Sequence, residues 1–321
     1  MARSRKGFLV RLALGLVAFG LLFVLFKPGE ILAGLKQADL FYVWVSFALL
    51  FLVTVIRTHR WKKVLDDIGL SARFGQLLEM SLISNYFNTL LPGSMGGDVY
   101  RVYDLARVSS KKLRPLATVI IERLTGILSL ISVCIVAIVL YREMLPYPSW
   151  ALLLFSGGIL AVSLGGLIGI GWVERIYERL KGFLPARFAA KLPEEKIRAV
   201  FGVIRDLRGN RIVFLRSYLN GFVLQIVVLL TYWTASLALG RDIPLVLFFV
   251  FFPLIEFVSL VPLTVNGIGV KEGLLVYFMK YAGVPPSYSM SLSILYRLLT
   301  IVLALVGGAV LVLRKRRQPA A

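Results

Sequence analysis

The chain of 321 residues has one cysteine, Cys134, and one histidine, His59. A lone thiol excludes an internal disulfide and any site built from several cysteines. A lone imidazole excludes His-clustered zinc or di-iron chemistry and leaves a serine triad one candidate base. Acidic residues are scarce too, 17 against 37 Lys and Arg, and the net charge is +20. Charged residues make up only 17% of the chain while hydrophobic ones reach 58%, with a mean hydropathy of +0.82. Soluble domains average about 45–50% apolar, and a water-soluble fold has nowhere to bury the surplus. The balance excludes a soluble enzyme. Also missing are a nucleotide-binding P-loop, a metal-binding aspartate cluster and a nucleophile–base pair, so no catalytic residue, metal or cofactor is expected.

What the chain has instead is apolar runs. Six are long enough to cross a bilayer as helices, which takes about 20 residues: 8–26, 40–56, 115–141, 149–172, 213–239 and 288–313. The first follows Arg3-Ser4-Arg5-Lys6 and reads as a retained span with a cytoplasmic flank, not a cleaved signal peptide. Two shorter apolar stretches, 74–91 and 245–262, each end at a turn rich in Pro and Gly.

Basic residues collect on cytoplasmic loops. The N-terminus through Arg11 and the segments 57–73, 98–114, 173–212 and Arg314–Arg317 hold almost all of the positive excess. Segments 27–39, 142–148, Arg241–Asp242 and 270–287 are close to neutral. Both termini are therefore expected in the cytoplasm, with the basic charge facing anionic lipid of the cytoplasmic membrane and not nucleic acid. Because 57–73 and 98–114 are both basic, 74–91 must enter and leave on one side. By the same reasoning 245–262 enters from the other side. The expected fold class is an all-α polytopic membrane protein with six transmembrane helices and two opposed re-entrant helical hairpins.

The two hairpin turns resemble each other. Leu90-Leu-Pro-Gly-Ser-Met-Gly-Gly-Asp98 and Leu260-Val-Pro-Leu-Thr-Val-Asn-Gly-Ile-Gly-Val-Lys-Glu272 both place a hydroxyl shortly after Pro, at Ser94 and Thr264. Both then place Gly or Asn where a positive φ is tolerated: Gly96 and Gly97, Asn266, Gly267 and Gly269. Farther on, each half has an Arg within a span, Arg123 and Arg297. Three spans per half is an odd number, so the second half is inverted. The expected organisation is one membrane domain, 1–321, with halves 1–145 and 146–321, the second including a cytoplasmic connector, 173–212. Inverted repeats mark transporters, whose sites lie near the midplane where broken helices meet.

Charges inside hydrocarbon face a partner or a wet cavity. Arg123 and Arg297 are the leading candidates, because guanidinium stays charged and grips phosphate through two N–H groups. The helix N-termini at the turns would add N–H donors. The carboxylates Glu122, Glu256 and Glu272 would orient the guanidinium groups, carry a proton, or hold an amine on the substrate. Asn88, Asp98, Arg101 and Lys271 flank the turns, and Arg57 and Arg60 at the end of the second span complete the expected substrate-binding set. Those last two also suit a plain cytoplasmic flank. Cys134 is expected to pack on an apolar helix face.

These residues resemble the flippase-like transmembrane family found as the membrane region of lysylphosphatidylglycerol synthases. The matching features are Arg57-Thr-His-Arg60-Trp61, Asn88 to Arg101, Glu122-Arg123 and Pro262 through Glu272, in the family's order. Lys271 departs from the pattern, which more often has Arg there. The resemblance implies a lipid-translocation module, here without the soluble aminoacyl-transferase domain of the full synthases. The expected cargo is an anionic or aminoacylated phospholipid or a polyprenyl-phosphate-linked lipid. The alternative is a membrane subunit or scaffold for a separate aminoacyl- or glycosyl-transferase that modifies lipid.

Overall fold

In lipid every backbone N–H and C=O must be satisfied within the chain, which leaves long apolar segments little choice but helix. The computed structural model describes residues 13, 16–17, 19–22, 24, 28–90, 96–108, 114–144, 149–168, 170–183, 194, 201–202, 211–259, 264 and 267–317, and among them there is no β-strand. The helices are α1 (Pro28–Lys36), α2 (Leu40–Asp67), α3 (Phe74–Leu90), α4 (Gly96–Val108), α5 (Arg114–Leu140), α6 (Ser149–Ile168), α7 (Ile170–Phe183), α8 (Arg211–Ala238), α9 (Leu245–Val258), α10 (Val270–Tyr281) and α11 (Pro286–Arg317). Four stretches of them are long and apolar enough to span a membrane: Leu40–Asp67, Thr118–Leu140, Ile212–Ala238 and Pro286–Arg314. They leave large apolar side chains outward, among them Trp44, Leu219, Leu305 and Leu313. An all-α, multi-pass membrane protein is what this surface requires. The expected span 8–26 falls mostly outside the described residues, and those of it that are described are helical.

One boundary differs from the sequence reading. The second apolar run ends at residue 56, but α2 continues without a break to Asp67. Nothing between 57 and 67 stops a helix, because Arg, Lys and Trp extend it and the first glycine is Gly69, at φ 72°. The extra turns carry Arg57 and Arg60 along α2, beside the other helices.

α2 and α8 pack antiparallel. Asp39, which caps α2 by accepting from the Phe41 N–H at 2.8 Å, donates its own N–H to the Ala238 carbonyl at the far end of α8. Ser46 meets Thr234 at 2.8 Å, and near the opposite end the backbone of Gly221 passes Arg60.

α3 with α4, and α9 with α10, form two helical pairs that open at opposite ends of the bundle. Leu77, Met80 and Leu105 from the first pair cluster with Trp61 and Leu65 near the end of α2. Val246, Leu247 and Met279 from the second pair join Ala238 and Ile243, beyond the end of α8. The pairs are exchanged: α3 packs on α11, and α9 packs on α5. Gly307 and Gly308 of α11 permit the first of these contacts, since a Cβ at Gly307 would run into the Leu82 carbonyl and one at Gly308 would sit 2.9 Å from the Tyr86 ring. In the second, Cys134 is buried and donates its thiol to the Val250 carbonyl at 3.6 Å, a packing role.

Candidate functional site

A cavity of about 420 Å³ lies between α2, α3, α4, α5, α8, α9, α10 and α11. Its wall mixes apolar side chains, such as Leu50, Leu130, Leu224 and Phe252, with six cations and four carboxylates. The cations are Arg57, Arg60, Arg101, Arg123, Lys271 and Arg297; the carboxylates are Asp98, Glu122, Glu256 and Glu272. With Asn88, these are all the charged residues of the expected set, brought to one space from distant segments.

The turn residues are placed differently. Ser94 and Asn266 lie outside the described residues. Gly96, Gly97, Thr264, Gly267 and Gly269 do not line the cavity. One of the expected N–H donors at each helix start is already taken by protein. Asn88 Oδ1 accepts from the Gly97 N–H at 2.7 Å, and Glu272 Oε2 accepts from the Gly269 N–H at 2.7 Å. Helix starts buried away from water need such partners, and the nearest side chains supply them. Gly97 has a steric role, because a Cβ there would collide with Ser84 of α3. Gly267 and Gly269 have φ of 70° and 81°, the left-handed backbone that the second turn requires.

Two ion pairs repeat the same geometry. Arg123 Nε donates to Asp98 Oδ2 at 2.8 Å, with Nη2 on the same oxygen at 2.5 Å. Arg297 Nε donates to Glu272 Oε1 at 2.8 Å, and its Nη2 reaches that oxygen too. In each case the carboxylate stands in the first turn of a pair's second helix and precedes its Arg by 25 residues. Counted from Pro92 and Pro262 the two turns differ in length before the carboxylate, which hides this identity of spacing in the sequence. Arg123 and Arg297 thus face the cavity from paired positions, with Asp98 and not Glu122 orienting Arg123.

Glu122 serves Arg101 and Arg60. It accepts from Arg101 Nη2 at 2.7 Å and lies 3.7 Å from Arg60 Nε. Arg101 is clamped between Glu122 and the face of Trp61, 3.9 Å below, while Trp61 donates its indole N–H to Thr118. Arg60 is 6% exposed and donates Nη2 to the Glu122 backbone carbonyl at 3.0 Å. His59, one residue away, is exposed and does not line the cavity. Lys271 bonds Glu256 at 2.5 Å across the second pair.

The sequence missed several polar members of the wall: Thr54, Asn85, Thr89, Gln225, Tyr232, Ser293, Tyr296 and Thr300. Asn85 donates to Thr54, and Tyr232 and Tyr296 stack with centroids 3.6 Å apart. Uncharged residues on apolar helices carry no signal of the kind that charge does. The single hint was position, since Asn85 and Thr89 bracket Asn88 on α3.

A polar, charged cavity lined by apolar helices defines a class: a multi-pass membrane protein with a charged interior. More particularly, the chain belongs to the family of the lysylphosphatidylglycerol synthase TM region, which it matches over residues 8–308. A UPF0104 membrane protein of Methanothermobacter thermautotrophicus is 26% identical over 91% of this chain and 90% of its own length. A UPF0104 membrane protein of Methanocaldococcus jannaschii is 23% identical, covering 86% of this chain and 85% of its own. The glycosyltransferase AglD of Haloferax volcanii is 25% identical over 92% of this chain, which accounts for 52% of that protein.

Proposed function

We propose that the protein moves an anionic lipid between the leaflets of the cytoplasmic membrane, with the head group passing through the central cavity. The observation that carries this reading is the excess of cations over carboxylates in a cavity lined by apolar helices. Charge in hydrocarbon is costly, on the order of 2.5–3.5 kcal/mol per residue, and tends to mark a substrate path. Guanidinium groups suit phosphate, and the apolar part of the wall suits the first carbons of an acyl or polyprenyl chain.

On this reading the chain is an inverted repeat, 1–145 and 146–321, with six spans, both termini cytoplasmic, and α3–α4 and α9–α10 as re-entrant hairpins. The equal 25-residue spacing of the two ion pairs supports it, as do the antiparallel α2 and α8 and the exchanged packing of the hairpins. Alternating access follows from such symmetry: the Asp98–Arg123 and Glu272–Arg297 pairs tie the two hairpins to α5 and α11, so rocking of one half opens either side in turn.

A second reading, a membrane subunit for a lipid-modifying transferase, is favoured by the match to half of a glycosyltransferase. Reconstituted liposomes separate the two. Labelled anionic lipid should leave the inner leaflet faster with the protein than without it, and Arg123→Gln or Arg297→Gln should slow this by about tenfold, the equivalent of 1.4 kcal/mol. A wild-type protein that adds nothing to empty liposomes would favour the transferase-subunit reading.

A further inference from the structure

Charge is unevenly divided within the cavity. On the wall made by α9, α10 and α11, Lys271 and Arg297 meet Glu256 and Glu272, and both pairs close. The wall made by α2, α4 and α5 sets four guanidinium groups, Arg57, Arg60, Arg101 and Arg123, against Asp98 and Glu122 alone. This pole keeps two positive charges. It also keeps donors that make no hydrogen bond among the described residues: Arg60 Nη1 and Arg101 Nε are buried without a partner, and Arg60 Nε stands 3.7 Å from Glu122 Oε1, too far to bond it. Arg57 forms no hydrogen bond or ion pair among the described residues. Arg60 is 6% exposed, and the missing side chain of Gly221 leaves its guanidinium room, since a Cβ there would lie 3.0 Å from Arg60 Nη1. α8, which runs beside α2, offers Gln225, Val228 and Tyr232 instead of a second set of cations.

We infer that this pole selects a phosphate bearing two negative charges, a terminal phosphomonoester on an apolar tail, over the singly charged phosphodiester of an ordinary phospholipid. The inference rests on the anionic-lipid reading above and names its substrate class. A dianion neutralises the pole and fills the idle N–H groups; a monoanion leaves one charge uncompensated in a poorly solvated space. The apolar wall beside the pole, Leu50, Val53, Ile127 and Leu130, gives a tail contact that free phosphate cannot use.

Thermal unfolding of the purified full chain tests this, with phosphatidic acid, phosphatidylglycerol of the same acyl chains, and inorganic phosphate as probes. At pH 8 phosphatidic acid should bind at least about tenfold more tightly than phosphatidylglycerol. A phosphomonoester takes up its second proton near pH 6, so the ratio should shrink by pH 5.5. Arg57→Gln, which breaks no ion pair, should remove the preference. Glu122→Gln, which deletes a counter-charge, should increase it, so the two variants move in opposite directions. Equal affinity for the two lipids at both pH values would overturn the dianion assignment and leave the anionic-lipid reading standing. Inorganic phosphate binding as tightly as phosphatidic acid would overturn the lipid tail. Stabilisation by neither lipid would overturn both readings.

Discussion

Glu272 shows how tightly single residues are committed. It is 1% exposed, caps α10 through the Gly269 N–H and accepts from Arg297. Removing one partner of a buried ion pair strands the other, at a cost of about 3–5 kcal/mol. Arg297→Met should therefore lower stability by that order in denaturant unfolding. Adding Glu272→Gln should recover much of the loss, because Gln still accepts from Gly269 without a buried charge. At this scale the sequence was most legible where charge met hydrocarbon. Arg57, Arg60, Asp98, Arg101, Glu122, Arg123, Glu256, Lys271, Glu272 and Arg297 all stand on the cavity. Which carboxylate serves which guanidinium was not legible. Glu122 is the chain neighbour of Arg123, yet consecutive helical residues point about 100° apart, so Glu122 turns to Arg101 and Asp98 takes Arg123.

Two glycines decide how α3 and α11 meet. Gly307→Val would drive a branched side chain into the Leu82 carbonyl, and overpacking of this kind costs about 1–3 kcal/mol. The variant should unfold earlier, while valine at Gly157, where a Cβ meets nothing within 4 Å, should be far milder. The ends of the first hairpin offer a second check. Cysteines at Ser71 and Arg107, both exposed, should react with an impermeant thiol reagent from the same side of the membrane, and labelling from opposite sides would make α3–α4 a spanning pair. Four of the six expected spans stand as helices long and apolar enough to cross a membrane, and these were readable from hydropathy because lipid selects on composition alone. The end of α2 was not, because helix propensity ignores the point where apolar residues give way to Arg and Lys, and α2 runs on to Asp67. The pairing of helices was hidden too, since it depends on small contacts such as Gly307 against Leu82 and Gly97 against Ser84.

For the whole molecule, a net charge of +20 serves two purposes at two places. The greater part lies on segments that the positive-inside rule assigns to the cytoplasm, and a small part, concentrated at Arg57, Arg60 and Arg101, lies within the bundle. The central claim is that an anionic lipid head group occupies that interior. Photo-crosslinking in native membranes tests it most directly, with a reactive amino acid at Leu130 on the cavity wall and, for comparison, at Leu305, which is 62% exposed on the outer face of α11. The account predicts that lipid captured at Leu130 is enriched in anionic head groups, that lipid captured at Leu305 mirrors the bulk membrane, and that Arg57→Gln erases the difference. The same lipid composition at both positions in the wild-type protein would contradict it.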